Sequence, residues 1–247
     1  MRIAISGAQS MGKSTFAKDF HRAHPDFHFE DEPYRELAGR GERIHFAERA
    51  SQRCNTLMTQ HAIDRINEAR DRKPDGNTVC DRSCLDFIPY SQYALAMGSR
   101  EGLPKSDRLT TVEVRPELQE KNDFEYPSDI TAAFIEELWR MILQSKALES
   151  YDLIVFLPLT GDPEIDPPME DDGIRSVESC YRSWIDRAFK TLYREELMRR
   201  TSVKCRIVEI TGSRSQRLSA LESLVNAAPT LRAGLRRSPG GDSRRRR

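Results

Sequence analysis

The sequence contains no apolar run approaching the roughly 18 residues that a helical membrane span requires, which excludes an integral helical membrane protein. Cysteine is scarce and odd in number: Cys54, Cys80, Cys84, Cys180 and Cys205 match no zinc-ligand spacing and make no even disulfide framework. Residues 1–7 form a short apolar burst ending in glycine, without the cleavage-type region of a secretory leader. Reduced thiols in a cytoplasmic protein are therefore expected. Net charge is also missing, at zero overall. That balance hides an asymmetry, because residues 231–247 carry seven arginines against Asp242 alone. The tail is then +6 and the remaining 230 residues −6, so the body does not have the composition of a nucleic-acid-binding domain. The tail reads as a disordered basic segment, the one place where nucleic acid or an acidic partner can be contacted.

What is present is a 247-residue chain with 38% hydrophobic and 32% charged residues, enough for one sizeable α/β core under a charged surface. Short apolar runs alternate with helical periodicity, the pattern of a parallel sheet covered by helices. Strands are expected at Arg2–Ser6, Phe27–Asp31, Asn77–Asp81, Leu153–Leu157 and Cys205–Ile210. Helices are expected over Lys13–Phe20, Phe46–Arg70, Leu85–Leu95, Thr131–Ser145, Ser176–Met198 and Gln216–Ala227. In the second of these, Ala47, Ala50, Cys54, Leu57, Met58 and Ala62 recur at three- and four-residue steps. The fold class is α/β: a three-layer sandwich with a five-stranded, mainly parallel sheet and helices on both faces. Residues 1–230 form a single domain, with an aperiodic inserted segment at 98–130 and a lid region at 160–182; residues 231–247 are the tail.

Gly7-Ala8-Gln9-Ser10-Met11-Gly12-Lys13-Ser14-Thr15 fits G-x-x-x-x-G-K-[ST] without a mismatch. Its glycines permit a loop whose backbone N–H groups turn inward at a helix amino terminus, a nest for phosphate. Lys13 reaches the β- and γ-phosphates, the Ser14 hydroxyl ligates Mg²⁺, and Thr15 donates further in. A chance match in a chain this long is of order one per cent. The motif also sits where its mechanism requires, between an apolar strand and an amphipathic helix. ATP and Mg²⁺ are the expected cofactors.

A phosphate-binding loop names a nucleotide and not a reaction. In open α/β sheets ligands lie beyond the carboxyl ends of the strands, where Glu32 and Asp81 stand at two strand tips. One acid can organise the metal and the other take a proton from an acceptor hydroxyl, while Arg82 holds the acceptor. Each has a plainer reading: Glu32 as a solvated acid before a proline-led turn, Asp81 as a helix cap, Arg82 as a surface ion pair. His21, His24 and His28 straddle Pro25, so one helical face cannot present all three to a metal. Cys80 reads as a small core residue. Thr211-Gly212-Ser213 reads as part of an adenine pocket or as a plain strand-to-helix turn.

The set Glu32-Pro33, Asp81-Arg82-Ser83 through Asp86, and Gly173-Ile174-Arg175 followed by Tyr181-Arg182 and Ile185-Asp186 resembles the P-loop small-molecule kinases. Those are the deoxynucleoside kinases, the thymidylate kinases and the AAA-like domains that include nicotinamide riboside kinases. The resemblance implies Glu32 as catalytic base or acceptor-binding acid, Asp81 at the metal, and Arg82 on the acceptor. It also implies Arg175 and Arg182 closing over the phosphates; on the residues alone, these two can equally be the polar face of an exposed helix. Neither the 98–130 segment nor the arginine tail belongs to that pattern. The expected function is an ATP-dependent kinase acting on a small nucleoside-, nucleotide- or ribosyl-type acceptor. The alternatives are a nucleotide-dependent switch or regulatory ATPase working through a protein partner, and a nucleic-acid-associated ATPase using the tail.

Overall fold

A computed structural model describes residues 1–98, 128–168, 179–202 and 205–235. Five strands, β1 (Arg2–Ser6), β2 (Phe27–Glu30), β3 (Asn77–Asp81), β4 (Leu153–Phe156) and β5 (Arg206–Glu209), pair in the order β2-β3-β1-β4-β5. Every pairing is parallel, so the sheet is wholly parallel where a mainly parallel one is expected from sequence. Strands buried on both faces need continuous apolar runs. Ile3, Ala4 and Ile5 of β1 and the whole of β4 are accordingly buried in the centre, while edge strand β5 is only half covered.

Nine helices connect and cover these strands among the described residues: α1 (Lys13–Ala23), α2 (Pro33–Gly39), α3 (Gln52–Arg72), α4 (Phe87–Gly98), α5 (Ala132–Gln144), α6 (Ala147–Ser150), α7 (Ser179–Thr191), α8 (Leu197–Arg200) and α9 (Arg214–Leu235). Helix α1 packs on β1, β2, β3 and α9, whereas α3, α4, α5 and α7 pack on one another, so the sheet lies between two groups of helices. Phe20, Trp139, Phe156 and Phe189 are the largest fully buried side chains, each contributing about 2–3 kcal/mol by removal from water.

Several expected boundaries move for local reasons. The helix expected over Phe46–Arg70 breaks after a 3₁₀ turn at Ala47–Arg49, because Ser51 is extended and its hydroxyl accepts from the Cys54 N–H as an N-cap. The following helix runs on to Arg72. The helix expected from Leu85 starts at Phe87, behind a 3₁₀ turn at Cys84–Asp86. Helix α2, led by Pro33, is not expected from sequence. Helix α7 continues through a π-helical turn at Leu192–Glu196 into α8, beyond the expected end. Helix α9 reaches Leu235, so residues 231–235 are helical where a disordered tail is expected; residues 236–247 lie outside the described residues. The core of the inserted segment, 99–127, lies outside them too. Among the described residues no helix is long and apolar enough to cross a membrane, and the cysteines described are free.

Candidate active site

The chain leaves the buried end of β1 through Gly7, whose φ of 142° and tight packing both demand glycine. A Cβ there would stand 2.7 Å from the Leu157 carbonyl oxygen. Ser10 (φ 55°) and Gly12 (φ 76°) complete the left-handed turns of the loop. Gly12 is the N-cap of α1 and offers no side-chain cap, which leaves the first N–H groups of the helix free to face an anion. Lys13 folds back under the loop, donating from Nζ to the Ala8 carbonyl at 2.6 Å, and is only 4% exposed. Burial, reinforced by the nearby Arg82 guanidinium, lowers its pKa to about 7.

The strand order sets β3 beside β1, with Asp81 in register with Ile5, and β2 beside β3. The two predicted acids therefore flank the loop. Asp81 is buried, and both its carboxylate oxygens lack a hydrogen-bond partner. Burial and then the Glu32 charge raise its pKa, while the Lys13 charge and the neighbouring Ser14 hydroxyl pull the other way. The helix cap beside it is Ser83, which accepts from the Leu85 N–H and shares a capping box with Asp86, so Asp81 is not the cap.

Glu32 is 2% exposed, which removes the reading as a solvated acid. Its Oε1 accepts from Arg82 Nε at 2.5 Å. Arg82 is itself buried, so it is no surface ion pair. It holds a φ of 95° while its N–H donates to the Ile5 carbonyl at 3.0 Å. Its guanidinium also donates to Tyr90 Oη at 3.3 Å, lies over the Tyr90 ring and stands 3.7 Å from Asp86. A non-glycine residue in this region of φ is a strained conformation held by its surroundings, as at many functional sites. Asp86, fully buried, is the hub beneath: it accepts from Ser6 Oγ at 2.6 Å and from Ser83 Oγ at 2.7 Å. The Ser6 hydroxyl also bonds Tyr193 Oη at 2.6 Å, tying the π-helical turn to the end of β1.

From the loop a cleft opens between α2, α3 and α4. Aromatic walls come from Tyr34, Phe46, Phe87, Tyr90 and Tyr181, and polar groups from Gln9, Glu32, Asn55 and Arg82. Phe46 and Asn55 are not named as site residues from sequence, and Tyr181 enters only in the resemblance, beside Arg182; the three converge from distant segments. The one available signal was Asn55, a polar residue on the apolar stripe of α3. Ser128 and Asp129, at the end of the inserted segment, line a neighbouring groove that shares His45 and Ala50 with this cleft.

At the phosphate end, Arg182 donates to the carbonyls of Ser10 at 3.3 Å and Pro167 at 2.7 Å, bridging loop and lid region. Arg175 lies outside the described residues. Sequence reasoning missed Arg217. It is buried and donates to the Met11 carbonyl at 2.7 Å and the Gly212 carbonyl at 2.8 Å, joining the loop to the Thr211-Gly212-Ser213 turn. Its signal was position, because it shares the buried stripe of α9 with Leu221. The three histidines have separate partners: His21 bonds the Phe27 carbonyl, His24 faces Glu222 and His28 faces Glu30. Among the described residues no three His, Cys, Asp or Glu side chains form a metal-binding group.

The family described as AAA domain matches residues 2–217. Among solved structures, the chain is similar to the NadR protein in complex with NAD and AMP-PNP at 14% identity and a TM-score of 0.56, over 91% of this chain and 49% of that one. The NadR protein in complex with NR gives 14% identity and a TM-score of 0.53 over 90% and 48%. The thymidylate kinase from Candida albicans gives 13% identity and a TM-score of 0.49 over 92% of each chain. The likeness to NadR is one of fold, and the chain spans about half of the NadR length. No curated protein matches it by sequence.

Proposed function

The chain belongs to the AAA-domain family, with a P-loop kinase-like fold, and we propose that it is a Mg-ATP-dependent kinase. It transfers the γ-phosphoryl group to a small nucleoside-, nucleotide- or ribosyl-type acceptor, and residues 1–230 act as one domain. The observation that carries this reading is the shared wall between loop and cleft. Gln9 belongs to the phosphate loop and lines an aromatic-walled cleft whose polar floor is the buried Glu32–Arg82 pair. A nucleotide switch needs the loop but has no use for a second small-molecule pocket against it.

Ser14 and Asp81 fit a Mg²⁺ ion: a buried carboxylate beside a hydroxyl is a hard-oxygen donor set. An ion held by these two residues would supply charge neutralisation to the nucleotide phosphates. The chain's own residues do the rest. Lys13 exchanges the Ala8 carbonyl for phosphate oxygens, and the open N–H groups at the start of α1 cradle the same anion. The aromatic walls hold a flat ring, and Glu32, oriented by Arg82, accepts the proton of the acceptor hydroxyl. The acceptor oxygen bonds the γ-phosphorus as the bond to the β,γ-bridging oxygen breaks, and ADP leaves with that electron pair. Arg182 on the lid side, and Arg175 earlier in the lid region, supply positive charge where negative charge moves. Covering the site excludes water, so that hydrolysis does not compete.

The test is ADP release from Mg-ATP with a panel of nucleosides, nucleotides and nicotinamide riboside, and Lys13→Ala as background. Lys13-dependent stimulation by one acceptor class supports the kinase. Tight nucleotide binding with no stimulation by any acceptor overturns it in favour of a switch.

A further inference from the structure

Gln9 is 2% exposed, yet neither its amide nitrogen nor its amide oxygen has a hydrogen-bond partner. A primary amide has two donors and an acceptor to satisfy, and buried polar groups left wholly unpartnered are rare in folded proteins. Here the amide sits in the phosphate loop and lines the acceptor cleft, together with Glu32 and Asn55. Packing alone does not call for an amide: a methionine fills the same volume. A ligand on each side does. The nitrogen side meets groups that only accept, as phosphate oxygens do, and the oxygen side meets a donor.

The charges of the cleft define that donor. The only lysine or arginine lining it among the described residues is Arg82, which is already paired with Glu32 at 2.5 Å and faces Asp86 at 3.7 Å. No uncommitted lysine or arginine is left in that lining for a phosphate dianion, His45 at its rim being exposed, and the Glu32 carboxylate repels one. A neutral alcohol has neither problem. We propose that Gln9 is a positioning and selectivity residue of the kinase reading above. Its Nε2 donates to the γ-phosphate, and its Oε1 accepts from a second hydroxyl of the acceptor while the reacting hydroxyl faces Glu32. The acceptor class is thereby a polyhydroxylated, unphosphorylated nucleoside or ribosyl compound, and nucleoside 5′-monophosphates are excluded.

The test uses the full chain with adenosine, uridine, nicotinamide riboside and their 5′-monophosphates, together with Gln9→Met and Gln9→Glu. The wild-type protein prefers the best nucleoside to its monophosphate by at least about tenfold in kcat/KM, as expected where a dianion would face a like charge. Gln9→Met raises the acceptor KM about tenfold and shifts product from phosphorylated acceptor toward inorganic phosphate. It also raises the Tm of the ligand-free protein, because an unsatisfied amide has been replaced by an apolar side chain. Gln9→Glu keeps the accepting oxygen but turns a carboxylate toward the γ-phosphate. It holds the acceptor KM within about threefold while kcat falls at least about tenfold. Better use of the monophosphate, an unchanged acceptor KM and product ratio in Gln9→Met, or a lowered ligand-free Tm overturns the proposal. Absence of wild-type turnover with any acceptor is a different result: it removes the kinase reading itself, and this proposal with it.

Discussion

Nucleotide binding should be coupled to proton uptake at Lys13. In the ligand-free protein this side chain is buried, bonded to one neutral carbonyl and close to the Arg82 charge, so its pKa is about 7. Phosphate oxygens replace that surrounding with opposite charge and restore the ammonium across the assay range. Above pH 7 each bound nucleotide must then bring one proton with it. For a single group of pKa about 7, affinity falls about tenfold per pH unit above that value, and about 90-fold between pH 6 and 9. That range corresponds to roughly 3 kcal/mol. Uptake at pH 8 is about 0.9 proton per nucleotide. Titration calorimetry of Mg-ADP in buffers of different ionisation enthalpy measures it directly, since Mg-ADP keeps its own charge over this window. Lys13→Met abolishes the buffer dependence. The linkage also has a sign in folding. The unfolded chain holds the Lys13 proton to higher pH than the folded one, so the ligand-free protein gains stability as pH rises from about 7 toward the ordinary lysine range. Affinity that is flat from pH 6 to 9, with heat independent of buffer, refutes the argument.

Three further substitutions probe separate parts of the site. Glu32→Gln leaves Mg-ADP binding intact, lowers single-turnover phosphoryl transfer by about 10²–10⁴, and lowers stability to urea by about 3–5 kcal/mol because buried Arg82 loses its nearest counter-charge. Asp81→Asn raises ligand-free stability at pH 7 by about 1–2 kcal/mol while weakening Mg²⁺-dependent nucleotide binding. Because burial raises the Asp81 pKa, its contribution to stability is lost as pH rises from the ordinary carboxylate range through the raised value, and the variant lacks that part of the pH slope in thermal melts. Gly7→Ala drives a Cβ toward the Leu157 carbonyl at a φ of 142°, and should lower stability by about 1–3 kcal/mol in denaturant melts together with nucleotide affinity.

The parts of the molecule legible in the sequence are those where backbone physics restricts residue type locally. The loop at 7–15 was legible because a phosphate nest needs glycine at set positions and lysine and serine at others. The parallel strands were legible because burial on both faces demands unbroken apolar runs such as Leu153–Phe156. Helix α2 escaped because seven residues of mixed character are too few to show a period, although Pro33 at its start was a signal. The break before α3 was marked by Ser51, whose capping geometry is visible only once the chain turns there. Glu32, Asp81, Arg82 and Arg182 lie near the loop in the structure. The strained φ of Arg82, the Asp86 hub and the contact of Arg217 with the loop are tertiary facts without a local pattern. So is the cleft, whose walls gather residues 34, 46, 55 and 181 from four separate segments.

The most direct measurement follows the γ-phosphoryl group itself. Isotope-labelled Mg-ATP is incubated with the protein and the acceptor that most stimulates ADP release, and the label is located among the products. A kinase places the label on the acceptor in a one-to-one ratio with ADP, and both signals vanish in Lys13→Ala. Label recovered only as inorganic phosphate, at a rate indifferent to acceptor, contradicts the account and identifies a nucleotide hydrolase or switch.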